Sequence, residues 1–267
     1  MMTKLVRLDA LETIVRAVLF SAYVRGEKPL SLLIVAKPES AKTAILKKYR
    51  ENKGVVYLTD CTAYGLTHNI LPKVVSGEVK HIMIADLITP LSKSTKTRQA
   101  FVAFLNNLIE EGVAKITTYA TVWEKEVNCG LIAAITDEAL KDGRRDWAKM
   151  GFLSRMLLFT YSYPISLVTR IFESLIGDKS TVIEPVPLNF PNGSVDIDIP
   201  REIAEKLIPI SVKIGESMRL HGFRFFLNAR ALLKALALMK GKRMVSDEEF
   251  NEFLELSRFL NWDFNPI

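Results

Sequence analysis

Residues 30–43 read Leu30-Ser31-Leu32-Leu33-Ile34-Val35-Ala36-Lys37-Pro38-Glu39-Ser40-Ala41-Lys42-Thr43: an apolar run, a short polar loop, then Lys-Thr opening what reads as a helix. A phosphate-binding loop has this layout, G-x-x-x-x-G-K-[ST] set between a buried strand and a helix. The pattern falls on Ala36 to Thr43, with alanine at both glycine places. Backbone amides of such a loop, and the helix N-terminus behind it, cradle phosphate oxygens. In that reading Pro38, Ser40 and Ala41 line the loop, Lys42 reaches the terminal phosphates, and Thr43 sets its hydroxyl on a magnesium ion. Alanine follows a tight loop if its φ stays negative, although it narrows the room. The glycines carry most of the motif's information, so the partner segments downstream decide its value.

Those partners come in order. His81-Ile82-Met83-Ile84-Ala85-Asp86 is a mostly apolar strand ending in an acid, the form of a Walker B strand, and Asp86 would hold the magnesium. In many ATPases of this plan a glutamate follows and orients the attacking water; here that position is Leu87. Leu131 to Ile135 is another buried strand, and Thr136 after it would face the γ-phosphate, with Asp137 the alternative for that place. Val55 to Thr59 and Met156 to Tyr161 complete five strands. Helix-period stretches alternate with them: 9–24, 41–51 and 94–111. Such alternation implies a mostly parallel sheet with helices on both faces, whose ligands bind at the carboxyl ends of the strands. Val113 to Trp123 reads as a hairpin or β insertion, and 142–149 as a charged connector.

The last third is different. Residues 164–176 read as a helix, and Pro185, Pro187 and Pro191 exclude one from the segment after it. Helices are expected over 200–208 and 223–239, and from a Ser246-Asp247-Glu248-Glu249 capping box to about Leu260.

The chain has 267 residues, 49% of them hydrophobic and 25% charged, the composition of an ordinary folded protein. No apolar run is long enough to span a membrane, and Asp9 and Glu12 interrupt any secretory layout. Cys61 and Cys129 make no disulfide framework, and His68, His81 and His221 are scattered, so a cytoplasmic protein without a structural metal cluster is expected. The net charge of +6 leans gently toward an anionic partner. Its basic clusters, such as Lys93 to Arg98, are short and lack the interleaved aromatics of a single-strand-binding platform.

In its order of motifs the chain resembles AAA+ ATPases of the branch containing MoxR proteins, magnesium-chelatase motor subunits and MCM helicases. Pro38, Ala41, Lys42 and Thr43 match the G-x-P-G-x-A-K-T form of MoxR loops, while Ala36, Glu39 and Leu87 depart from the pattern. The helix and strand of 14–35 resemble those leading into that loop. Glu110-Glu111-Gly112 resembles an E-E-x-x-V-T segment, and Phe152-Leu153-Ser154-Arg155-Met156 the element that carries an arginine finger. Residues 232–250 resemble the lid helix and its following cap. Arg224, or alternatively Arg230, falls at the sensor-2 arginine.

The resemblance implies an α/β fold of AAA+ type, a doubly wound, mostly parallel five-stranded sheet over 1–165. An all-α lid would follow over 166–267, with a Pro-rich insertion around 177–200. It implies ATP and Mg2+ as cofactors. Lys42, Thr43, Asp86, Thr136 and Arg224 would act within one subunit, with Arg155 reaching across to its neighbour. The implied protein self-associates into a ring or filament and remodels a protein or nucleoprotein partner, or acts as an ATP-controlled assembly switch, with no membrane association. The alternative is a DNA-associated accessory factor of replication, transposition or a mobile element. Leu87 implies slow hydrolysis, which Leu87→Glu is expected to raise. Asp137 or Glu111 is the base expected should turnover prove fast.

Overall fold

The computed structural model describes residues 8–112, 116–118, 121–123, 126–176, 184–217 and 220–260. Among the described residues seven strands are formed: β1 Leu32–Val35, β2 Val55–Leu58, β3 His81–Ile84, β4 Ile116–Thr118, β5 Thr121–Trp123, β6 Gly130–Ile135 and β7 Leu157–Thr160. Five of them make one sheet in the order β2-β3-β6-β1-β7, and every pairing in it is parallel. Strand β1 is inside, with Leu32 opposite Ile132 on one side and Leu157 on the other. Strands β4 and β5 form a separate antiparallel pair, as expected for a β insertion.

Side chains alternate between the two faces of a strand, and here both faces are covered. Leu32, Ile34, Met83, Ile132, Ala134, Leu157 and Phe159 enter one apolar cluster, while Leu33, Ile82, Ile84, Leu131, Ala133, Ile135 and Leu158 enter another. Near-continuous apolar strands are what a parallel sheet buried on both faces requires.

The helices are α1 Asp9–Ser21, α2 Lys42–Tyr49, α3 Ala63–Gly65, α4 Leu71–Val75, α5 Ile88–Leu91 and α6 Thr95–Asn106, then α7 Asp137–Lys149, α8 Ile165–Ile176, α9 Arg201–Ser217, α10 Phe223–Met239 and α11 Asp247–Ser257. On the first face α1 and α2 lie beside the C-terminal helices: Leu11, Val18, Leu232, Leu236 and Phe253 share one cluster with β1. Helices α6 and α7 cover the second face through Phe101, Leu105, Leu140 and Trp147.

Two expectations are corrected. The stretch 142–149 is not a connector but the end of α7. Thr136 caps this helix by accepting from the Ala139 amide at 3.2 Å, and Asp137 and Glu138 suit its first turn. Its composition is so charged that only Leu140 and Trp147 mark the buried face, and the indole lies so close over Gly143 that a Cβ there would meet it at 2.2 Å. Helix α9 runs beyond Ile208 to Ser217 with Pro209 inside. Its buried face continues past the proline through Ser211, whose hydroxyl donates to the Leu207 carbonyl at 2.6 Å.

The Pro-rich insertion is non-helical where described, from 184 to 200; residues 177–183 lie outside the described residues. It is strapped to the first face. Asn52 donates to the Val186 carbonyl at 2.9 Å and accepts from the Leu188 amide at 2.7 Å, and Phe190 stacks on Tyr23 at 4.7 Å. The capping box at Ser246 is formed, with Glu249 wholly buried. Among the described residues no helix is long and apolar enough to cross a membrane.

Candidate functional site

The carboxyl ends of the parallel strands gather charged and polar groups. Strand β1 runs into the loop 36–41, β3 into Asp86, β6 into Thr136 and Asp137, and β7 into Tyr161. The α2 N-terminus has Ala41 as cap residue and no side-chain cap, which leaves its first-turn amides to another partner. The backbone here is held in an uncommon form. Glu39 and Ala41 have φ of 61° and 66°, whereas the sequence reading required negative φ for alanine. Each such non-glycine residue costs about 1–2 kcal/mol. Alternation of hand along the loop is how successive amides form an anion-binding nest.

Lys42 folds back across this loop. Its ammonium donates to the carbonyls of Ala36 at 2.7 Å and Lys37 at 2.6 Å, and to the Ser40 hydroxyl at 3.1 Å. All three acceptors are neutral. Burial lowers the Lys42 pKa, and the negative charges of Asp137 and Asp86 work against that lowering. Both carboxylates therefore act on the ammonium across the mouth of the loop. Asp86 is exposed, with one oxygen accepting from the Ile88 amide at 3.1 Å. Asp137 is only 8% exposed, and its Oδ1 has no hydrogen-bond partner. Thr43 is exposed at the start of α2, and Pro38 is exposed on the loop.

Leu87 is wholly buried in the second apolar cluster, and its amide donates to the Ala134 carbonyl at 2.9 Å. The side chain faces the core, not the mouth of the loop. A glutamate there would enter a dry site, so the expectation that it would orient water is overturned by the direction of the chain. The base alternatives also separate. Glu111 is bound to Arg155 at 2.7 Å, whereas Asp137 acts on Lys42.

Arg155 and Arg224 do not join Lys42. Arg155 is nearly buried, its Nη1 donating to the Gly151 carbonyl at 2.7 Å and its Nη2 to Glu111 at 2.7 Å. Its Nε lies 2.6 Å from Glu110 Oε2, an ion pair without hydrogen-bond alignment. Arg224 pairs with the other oxygen of Glu110 and donates to the Ser154 hydroxyl at 3.2 Å. Lys28 donates to the Glu110 carbonyl. A cavity of about 180 Å³ beside this cluster is lined by Lys28, Ser31, Glu110, Arg155, Arg224 and Arg230. Ser31, which lines this cavity, and Ala36 bracket β1 and lie roughly 16 Å apart along the strand, five steps of about 3.3 Å, so the arginine pair sits toward the opposite end of the sheet from the loop. The sequence reading put Arg224 in the loop's own subunit, beside Lys42; its partners place it with Arg155 instead. Arg230, the alternative, is engaged by Glu27 at 2.9 Å.

No protein-family model matches this chain, and no curated protein matches it.

Sequence reasoning missed Tyr161 and Tyr163, whose hydroxyls both donate to the Ser40 carbonyl, at 2.6 and 2.9 Å. Their spacing puts both rings on one side of an extended chain, a visible signal once that strand is placed at the edge beside β1. The basic stretch 93–98 is less available than its sequence indicates, because Lys93 is paired with both oxygens of Asp60 at 2.8 Å. Among the described residues no group of three or more His, Cys, Asp or Glu side chains could hold a metal by itself.

Proposed function

We propose that this chain is a nucleoside-triphosphate-binding protein of AAA+ type that uses ATP with Mg2+ to control its own assembly, with slow hydrolysis. The observation that carries the reading is Lys42 at the carboxyl end of an inner strand, held over a left-handed loop by neutral acceptors and faced by Asp86 and Asp137. A phosphate group offers the ammonium stronger, charge-assisted partners than the carbonyls it now uses. The oxygen donors suit a hard cation: the Thr43 hydroxyl, Asp86, and the unpartnered buried oxygen of Asp137. Bound there, Mg2+ would neutralise phosphate charge. The C-terminal helices α9–α11 take the part of the lid in this reading.

Assembly enters through the second cluster. Arg155 and Arg224 lie at the end of the sheet away from the loop of their own chain, so a phosphate would meet them only on a neighbouring copy. Both arginines, not Arg155 alone, then act across an interface. Slow hydrolysis follows from Leu87, whose side chain is core, leaving Asp86 and Asp137, both assigned to the cation, as the acids near Lys42. A remodelled partner is part of the same reading, and nothing in the site selects DNA.

The test is calorimetry with Mg-ATP. The parent chain should bind, and Lys42→Ala should weaken binding by about 100-fold or more, the loss of charge-assisted bonds to phosphate. Equal affinity in parent and variant would overturn the assignment.

A further inference from the structure

The loop lacks glycine where its backbone is left-handed. Glu39 and Ala41 have positive φ, and Ser40 between them does not. The carbonyl of Ser40 belongs to the peptide unit that joins Ser40 to Ala41. Rotation of that unit is rotation about ψ of Ser40 and φ of Ala41. In a trans peptide the N–H points opposite to the C=O, so whatever holds the Ser40 oxygen also aims the Ala41 amide. Two phenols hold it: Tyr161 at 2.6 Å and Tyr163 at 2.9 Å, from the chain leaving β7. The rings brace each other at 5.9 Å, and the Tyr161 amide donates to the Val35 carbonyl, which fixes this chain against the end of β1. Burial raises the pKa of both phenols, so they remain proton donors at neutral pH.

We infer that Tyr161 and Tyr163 are positioning residues that stand in for the missing glycine at position 41: by anchoring the Ser40 carbonyl they keep Ala41 left-handed and turn its amide toward the side where phosphate would sit. Glycine would adopt this conformation without help; alanine needs the peptide unit held from outside. The inference rests on the phosphate-loop reading for its function, although the clamp itself does not.

The test combines Tyr161→Phe/Tyr163→Phe with a glycine rescue. Both phenyl rings stay, so only the two hydroxyls are lost. Amide hydrogen exchange over 36–43 in the nucleotide-free protein should speed up by about fivefold for each hydroxyl lost. Mg-ATP affinity should fall by a similar factor per hydroxyl, with an unchanged thermal midpoint of the rest of the chain. Adding Ala41→Gly should return affinity to within about threefold of the parent, because glycine needs no clamp. Unchanged exchange in the double phenylalanine variant would overturn the inference. So would an affinity loss that Ala41→Gly leaves in place, since the hydroxyls would then act elsewhere. Should the parent bind no nucleotide, faster exchange over 36–43 in the phenylalanine variant would still support the clamp while the phosphate reading fell.

Discussion

Lys42 and Arg155 are each held by several acceptors at opposite ends of the same sheet, but the acceptors differ in charge. Lys42 donates to two carbonyls and a hydroxyl, with the carboxylates of Asp86 and Asp137 acting only at longer range. Arg155 is ion-paired with Glu110 and Glu111, and Arg224 shares Glu110. Neutral acceptors leave a cation's field open to an arriving anion, and carboxylates cancel it. In the function proposed above, the carboxyl end is the one that would receive phosphate. At the amino end an anion must first compete with Glu110 and Glu111.

The largest effect that would sharpen this contrast is expected at Leu87. Leu87→Glu should destabilise the fold by on the order of 3 kcal/mol, the cost of an unpaired carboxyl in an apolar site. It should give no gain in phosphate release. Urea midpoints and a turnover assay check both parts; a stable variant with faster turnover would mean that position 87 opens onto the loop after all.

Acid acts at the other end. His81 begins β3 with its ring buried against Gly130, where a Cβ would meet it at 2.3 Å. Burial holds its pKa down at about 4, below the 6.5 of a free histidine. The unfolded chain therefore binds the extra proton between those values. Stability from this group is complete above pH 6.5 and drains away toward pH 4, by on the order of 3 kcal/mol. Urea unfolding at pH 7 and pH 4.5 should show the loss, and His81→Gln should flatten the slope over that window. A slope unaltered by the substitution would assign the acid sensitivity to other groups.

The smallest effects concern the arginines in the isolated chain. Arg155→Ala and Arg224→Ala should each leave Mg-ATP affinity within about twofold. Arg224→Ala should cost about 1 kcal/mol or less of stability, its side chain being exposed, and Arg155→Ala about 2 kcal/mol, since it leaves the buried Oε2 of Glu110 without its cation. Sedimentation should nonetheless show ATP-dependent association weakened about tenfold in Arg155→Ala. Identical sedimentation with and without ATP, in parent and variant, would return the cluster to a structural role.

The strands were legible because a sheet covered on both faces demands apolar runs, and all five runs are strands. The strand–loop–helix unit around residues 36–41 was legible through the apolar run before the loop and the helix that Lys42 opens. Helix α7 was not, because its buried face reduces to Leu140 and Trp147 within a charged stretch broken by Gly143. The left-handed φ of Ala41 runs against residue preference and depends on hydroxyls more than a hundred positions away, which no local pattern carries. The union of Arg155 with Arg224 through Glu110 likewise joins segments far apart in sequence.

One feature of the core bears on how force would travel. One face of strand β1, α1 and the C-terminal helices share a single apolar cluster, with Leu32, Ile34, Val18, Leu232 and Leu236 among its members. Helices α9–α11 cannot swing away from the sheet without wetting that surface. The loop at one end of β1 and the arginine pair at the other are then spaced by a rigid block about one strand long. In the head-to-tail array that the proposed function implies, such a block would be a gauge: its thickness would set the repeat, and a change at one joint would pass to the next as displacement of a whole subunit.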